Sequence, residues 1–242
     1  MTTWFISDLH LALEETSITA GFFNFLLEPQ ANDTLYILGD FFNYWVGDDV
    51  ADEYAEQIKQ ALKATANRGI KLFIMHGNRD FLIGEQFCQD TCCTLLNDPT
   101  LIDLEGEPVL LLHGDSLCTK DLDYMEFRTM ARSKKWQDNF LSQSVADRVA
   151  YAETARKQSQ NSSQNKNMST MDVTIEAVNN VLTEHNCSRM IHGHTHQPNT
   201  HNWINNDLNC ERIVLGDWYT YGWYLKVENG VYENTKFDLP NA

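Results

Sequence analysis

The stretch Arg189-Met-Ile-His-Gly-His-Thr-His-Gln-Pro198 closes a short apolar run with three of the eight histidines in the chain, His192, His194 and His196. A single histidine after such a run is ordinarily a packing residue. Alternate residues of an extended backbone face the same way, so His194 and His196 present two imidazoles to one side. The run RMIH that precedes them is short and bounded by Gly193, the pattern of a buried strand.

The same pattern recurs along the chain. TWFIS, TLYIL, KLFIM, PVLLL and RIVLG are strand-like runs, and GWYLKVENG followed by VYENTKF predicts a terminal strand pair. Residues 16–28, 51–67 and 172–185 have helical spacing between them. Ile58 and Leu62 make an i, i+4 pair, and Gly69 supplies a C-terminal stop. Strands alternating with helices predict a layered α/β domain. The uneven connections point to a sandwich of two sheets rather than one doubly wound sheet.

Residues able to bind a metal follow five of these runs. Asp8 and His10 follow WFIS, Asp40 follows LYILG, Asn78 follows LFIMHG, His113 follows VLLL, and His194 and His196 follow RMIHG. Ligands of α/β sheets gather beyond the carboxyl ends of the strands, so groups distant in sequence can converge there. Glycines beside them (Gly39, Gly77, Gly114, Gly193) permit sharp turns. Carboxylates, imidazoles and one amide, without thiolates, suit Mn²⁺, Fe²⁺ or Zn²⁺. Seven ligands exceed the need of one ion and imply two, with Asp40 as the bridge. A hydroxide held between two such ions is a nucleophile near neutral pH, and the residual positive charge favours an anionic phosphoester or phosphoanhydride. Asp115 and Asp217 are placed to orient ligand histidines, and His192 is expected in the core or behind the ligands.

The chain has 242 residues, 43% of them hydrophobic, enough for one sizeable core. Its formal charge of -16 disfavours a nucleic-acid partner. The N-terminus has no export leader and no run approaches the length of a membrane span. Six cysteines are therefore expected to be reduced. The charge is unevenly spread: residues 119–166 hold nine basic and six acidic side chains, leaving -19 elsewhere. The segment 119–170 has no strand pattern, and Met125, Phe127, Met130, Trp136, Phe140, Leu141 and Val149 read as helical, followed by a polar loop at KQSQNSSQNKN. Residues 119–170 are thus expected to form a helical insertion on a core of residues 1–118 and 171–242.

The ordered set D-x-H, GD, GN, HGD and GHTH resembles the calcineurin-like metallophosphoesterase family over residues 4 to about 218. The resemblance implies a β-sandwich flanked by helices in α-β-β-α layers, with a two-metal centre at one edge. Where the family usually has GNH this chain has GNRD, so Arg79 stands in place of a histidine. Together with WVGDD, GNRDFL and LCTKDLDY, this resembles the branch that hydrolyses the pyrophosphate of a UDP-diacylglucosamine lipid with two Mn²⁺ ions. The resemblance implies one ion on Asp8, His10, Asp40 and His196 and the other on Asp40, Asn78, His113 and His194. It assigns catalysis to Asn78, Arg79 and His194, and substrate contacts to these three with Asp121, Tyr124, Arg156, Ser159, Ser163 and Lys166. The branch more often has Asn at position 163, where this chain has Ser. A basic, apolar-studded insertion also fits the cytoplasmic leaflet of the inner membrane, which predicts a peripheral, monomeric protein. Two other readings are open: a hydrolase of a soluble dinucleotide such as a diadenosine polyphosphate, and a scaffold that keeps the fold without metals.

Overall fold

The computed structural model describes residues 1–50, 52–165 and 168–241, with backbone alone for 160–165 and 168–169. Two sheets lie face to face. The first takes the order β11-β10-β1-β2-β3-β4 and the second β5-β6-β7-β9-β8. In the first, β1 (Thr3–Ile6), β2 (Thr34–Leu38), β3 (Lys71–Met75) and β4 (Cys93–Leu96) run parallel. The hairpin of β10 (Tyr221–Glu228) and β11 (Val231–Asp238) joins antiparallel to β1. In the second sheet β6 (Glu107–Leu112), β7 (Arg189–His192) and β9 (Leu208–Val214) are parallel. Its edges are the antiparallel β5 (Thr100–Leu104) and β8 (Asn199–Asn205).

The near-continuous apolar runs are explained by burial on both faces, as in other parallel sheets. Alternate residues divide between two cores. Phe5, Leu38, Met75, Val109, Leu111, Ile191 and Ile213 pack between the sheets. From the first sheet, Trp4, Ile6, Leu35, Ile37, Leu72 and Ile74 face outward. They meet Ile18, Phe22 and Phe25 of α1 (Thr16–Phe25), Ile58 and Leu62 of α2 (Glu53–Asn67), and Phe87 of α3 (Glu85–Thr91). On the other side, Leu110, Leu112 and Met190 pack on Val178 and Leu182 of α8 (Ile175–Glu184). The layers are α-β-β-α, as the family resemblance implied.

After β6 the chain passes a 3-10 turn (Asp115–Leu117) and enters α4 (Leu122–Ala131), α5 (Lys134–Leu141), α6 (Val145–Asn165) and α7 (Met168–Met171) before α8. Phe140 inserts into the outer core of the first sheet, with Trp136, Val149 and Ala152 packed against it. One expectation fails here. Over residues 157–165 the polar stretch KQSQNSSQNKN is helix rather than loop, as α6 continues to Asn165; Lys166 and Asn167 lie outside the described residues. Gln and Lys are good helix formers and Ser and Asn tolerable ones, so a helix nucleated at Val145 propagates through residues that composition alone assigns to a loop. Four elements escaped the sequence pattern altogether, α3, β4, β5 and β8. The two edge strands β5 and β8 largely alternate exposed with part-buried residues; β5 is short and interrupted by Asp103, and β8 carries only Trp203 and Ile204 as apolar signals.

Candidate metal centre

Strands β1, β2 and β3 of one sheet and β6 and β7 of the other end at a common edge. All seven residues expected to bind metal gather there. Asp8, His10 and His196 bring ligand atoms within 4.8 Å of one another, and so do Asp8, Asp40 and His113. His196 Nε2 lies 3.3 Å from Asp8 Oδ1 and 3.4 Å from His10 Nε2. Asn78 Oδ1 lies 2.9 Å from both His113 Nε2 and His194 Nδ1. Asp40 stands between the groups, with Oδ2 3.8 Å from His10 Nδ1 and Oδ1 3.7 Å from His113 Nε2.

The backbone is strained where it delivers these groups. Asp8, His10, Asp40, His194 and His196 all have φ between 50° and 66°, a region non-glycine residues rarely adopt. Hydrogen bonds between loops hold the strain: Asp8 N donates to Gly39 O (3.1 Å), His10 N to Asp40 O (3.0 Å), and His194 N to Asp8 Oδ2 (2.9 Å). Two glycines make the approach possible. A methyl at Gly77 would lie 2.1 Å from Asp40 N, and one at Gly193 would lie 2.2 Å from Asp8 Oδ2.

The electrostatics fit a dication pair. Asp8 and Asp40 are buried, and Asp8 Oδ1 and His10 Nδ1 have no hydrogen-bond partner among the protein groups. Leaving such atoms unpaired is costly unless something else satisfies them. Burial works against ionisation of Asp8, yet the adjacent His196 and the other surrounding imidazoles hold its pKa far below the carboxylate range. Burial raises Asp40 despite His113 and Arg79. Burial lowers His10 well below its ordinary value and, with His113, takes His194 to about 4, leaving both neutral as metal ligands must be. His113 goes the other way: burial pulls it down, but Asp40, Asp8 and Asp115 outweigh that and raise it to about 9.

Supporting residues are partly as expected. Asp217 Oδ2 lies 3.4 Å from His196 Nδ1 and orients that ring. Asp115 does not orient a ligand histidine. Its Oδ2 accepts from the Tyr124 hydroxyl and from Arg128 Nε (2.8 Å), tying α4 to the loop after β6. The signal for this pair was the spacing of Tyr124 and Arg128, which share one face of α4. His192 is fully buried, with Nδ1 2.8 Å from Gly193 O and Nε2 3.3 Å from Arg212 Nη1, and takes no part in the cluster.

A cavity of about 520 Å³ opens beside the cluster. Its lining includes the polar side chains of Asn78, Arg79, Asp121, Tyr124, Arg156 and Ser159 and the aromatic rings of Trp45, Phe81, Phe127, Trp136 and Phe140. Arg79 Nε sits 3.3 Å from Asp40 Oδ2, while Arg79 Nη1 reaches Asn43 Oδ1 (3.4 Å) and Arg156 Nη1 donates to Asn43 O (3.2 Å). Burial and the neighbouring Arg79 lower Arg156 to about 10, still cationic at neutral pH. Asp121 caps α4, its carboxylate accepting from Tyr124 N (3.2 Å), and the Tyr124 ring stacks on His194 at 6.1 Å. The Ser163 side chain and Lys166 lie outside the described residues.

Sheet order, strand-tip ligands and cavity together define a metal-assisted phosphoesterase, and the chain belongs to the calcineurin-like phosphoesterase family, whose profile matches residues 1–198. More particularly, it is 45% identical to the UDP-2,3-diacylglucosamine hydrolase of Pseudomonas aeruginosa over 242 residues, covering 99% of this chain and 100% of that protein. It is 48% identical to the UDP-2,3-diacylglucosamine hydrolase of Cellvibrio japonicus over 226 residues, covering 93% and 94%. Among solved structures, zinc-complexed Vps29 of Entamoeba histolytica matches 98% of this chain and 99% of its own at 13% identity, with a TM-score of 0.45.

Proposed function

We propose that the chain hydrolyses the pyrophosphate bond of UDP-2,3-diacylglucosamine, releasing UMP and 2,3-diacylglucosamine 1-phosphate in lipid A biosynthesis. One observation carries the reading: a single cavity joins the strand-tip cluster, through two arginines, to an aromatic lining. An aromatic and aliphatic lining of this extent suits acyl chains, whereas a soluble dinucleotide would use at most the faces of a few rings for its bases. Near full-length identity to relatives of that name supports the same substrate.

In this reading Asp8, His10, Asp40 and His196 hold one Mn²⁺, and Asp40, Asn78, His113 and His194 hold the other. When bound, the ions neutralise phosphate charge and supply a nucleophile from water near neutral pH. The protein side chains do the rest. Arg79 and Arg156 both reach Asn43, with Asp40 the acid near the two of them, so the pair offers an anionic pyrophosphate two cationic partners in one place. Arg79 donates to the oxygens of the uridylyl phosphorus as charge builds there, and Asn78 and His194 hold that phosphate in line. Asp121, Tyr124, Ser159, Ser163 and Lys166 position the sugar and its phosphate. The acyl chains lie against Trp136 and Phe140, where water is excluded.

The segment 119–170 acts as a helical lid on a core of residues 1–118 and 171–242. No helix among the described residues is long and apolar enough to cross a membrane. Exposed Leu122, Met130, Leu141 and Val145 on that segment support peripheral contact with the cytoplasmic leaflet of the inner membrane, where the substrate resides. All seven ligands come from one chain, so a monomer suffices. The test is competition with Mn²⁺ present: UDP-2,3-diacylglucosamine should be cleaved far faster than diadenosine tetraphosphate, and the reverse preference overturns the reading.

A further inference from the structure

Arg148, in the first turn of α6, is 1% exposed although it carries a full charge. Its Nη1 donates to Val46 O (2.5 Å) and Asp49 Oδ1 (2.8 Å), and its Nη2 to Asp49 Oδ2 (2.5 Å). Its buried Nε has no partner. Asp49 is itself 61% exposed. A buried guanidinium with one solvated acid and an unsatisfied N–H is a poor device for stability, because desolvation opposes the attraction. It is a good device for register, because a planar fork accepts few geometries.

The socket is shaped for this side chain. Gly47 has φ +131°, and a methyl there would stand 2.4 Å from Arg148 Nη1 and 2.9 Å from Leu141 Cδ2. The socket loop is fixed from behind. Asp48 accepts from Trp45 Nε1 (2.8 Å), Gly84 N (3.0 Å) and Phe87 N (3.0 Å), and Trp45 N donates to Arg79 O (3.1 Å). The loop that grips Arg148 is thus tied to the backbone of Arg79. Two helical turns beyond Arg148, about 12 Å along the axis, Arg156 reaches Asn43 O, and the Asn43 side chain meets Arg79.

Among the described residues, the other core contacts of α6 before Arg156 are apolar. Val149 and Ala152 touch the outer core, and Tyr151 packs on Trp136 and Phe140 at 6.0 and 5.4 Å. Such apolar contacts tolerate sliding and rolling; a three-bond polar socket does not. We propose that Arg148 is a positioning residue: seated in the Val46–Asp49 socket, it sets the register of α6 so that Arg156 stands beside Arg79 at the phosphate end of the cavity. This rests on the lipid-nucleotide reading of that cavity.

The test uses the full chain with Mn²⁺ and UDP-2,3-diacylglucosamine, and compares Arg148→Lys, Asp49→Asn, Arg156→Ala and the two double variants with Arg156→Ala. Arg148→Lys keeps the charge but not the fork, and Asp49→Asn changes an exposed loop residue that folding can spare. Each should raise KM about tenfold with kcat within about threefold, and each should add little in the Arg156→Ala background. Backbone amides of 145–159 should exchange faster with solvent while those of β1, β2 and β7 stay protected. Unchanged KM in both single variants overturns the proposal, as does full additivity with Arg156→Ala. Equal losses in kcat and KM with general loss of protection would show a merely structural role and overturn it too. A wild-type chain inactive on this lipid would instead remove the functional reading itself.

Discussion

The strand tips and the helical segment 122–171 face each other across one cavity, yet they are built on opposite principles. At the tips the backbone does the positioning. Five of the seven ligand residues hold positive φ, locked by cross-loop hydrogen bonds, and their side chains need only project. In the helical segment the side chains do the positioning. Arg128 and Arg132 reach inward to Asp115, Asp98 and Gly77 O, and Arg148 reaches to Asp49. Of the nine basic side chains in residues 119–166, these three fasten the segment to the core and are not free to meet a membrane. Strain held by the main chain should fail abruptly when a ligand is changed, whereas fastening by side chains should fail by degrees.

The largest expected effect is at the tips. Asp40→Asn removes the carboxylate proposed to bridge the two ions and should lower kcat by about 10³-fold or more. Metal analysis should find less than the wild-type content. Retention of both metal and rate would show that the two groups do not share a ligand. Arg79→Ala comes next, with a loss of about 10²–10³ in kcat and a smaller change in KM. Arg79→Lys should recover little, because an ammonium cannot give two parallel bonds. A variant with normal kcat would move Arg79 out of the transition state.

This contrast also explains what could be read without coordinates. Asp8, His10, Asp40, Asn78, His113, His194 and His196 were legible because each follows a recognisable apolar run; the extended backbone expected at His194 and His196 is not what aims them, since both lie beyond the strand end at positive φ. The same runs implied a layered sandwich of two sheets, and the family resemblance supplied the α-β-β-α order. Asp115 was misassigned to a histidine because its true partners, Tyr124 and Arg128, lie on a helix whose docking no local pattern encodes. Arg148 carried no signal at all. Its burial depends on Gly47 and Asp49, about a hundred residues away, and a charged residue in a polar helix is solvated by default. The continuation of α6 through Asn165 was hidden because composition reports polarity rather than helix continuity.

A pH effect sharpens the comparison at the tips. In the metal-free protein His113 is protonated up to about pH 9, since the anions of Asp40, Asp8 and Asp115 outweigh burial. A ligand imidazole must be neutral, so metal must displace that proton. Below pH 9 the apparent Mn²⁺ affinity should fall as pH falls, by up to about tenfold per unit for this one group, and level off above it. Calorimetry in two buffers of different ionisation enthalpy should detect proton release on Mn²⁺ binding at pH 7. Binding without proton release would mean that His113 is already neutral there.

Graded failure is expected in the helical segment. Phe140→Ala removes a buried ring stacked on Trp136 at 4.8 Å. It should raise KM about tenfold for the long-chain lipid and distinctly less for a short-chain analogue. Equal effects on the two would detach Phe140 from the acyl chains.

Tyr124→Phe should have the smallest effect and is the most discriminating. It deletes one hydroxyl and leaves the ring to stack on His194. Asp115 loses one of two strong donors but keeps Arg128, so its carboxylate stays paired. The expected cost is ~1 kcal/mol in stability, with a few-fold fall in kcat/KM. If the helical segment is fastened by several side chains in parallel, combining Tyr124→Phe with Asp49→Asn should give roughly the sum of the two losses, since one site lies on α4 and the other in the loop that grips α6, and they share no partner. A sharp collapse of activity in the double variant, with metal content intact, would mean that the segment has only two fastenings and detaches as one piece. The distinction between a site held by its backbone and a lid held by its side chains would then lie in the number of fastenings rather than in their kind.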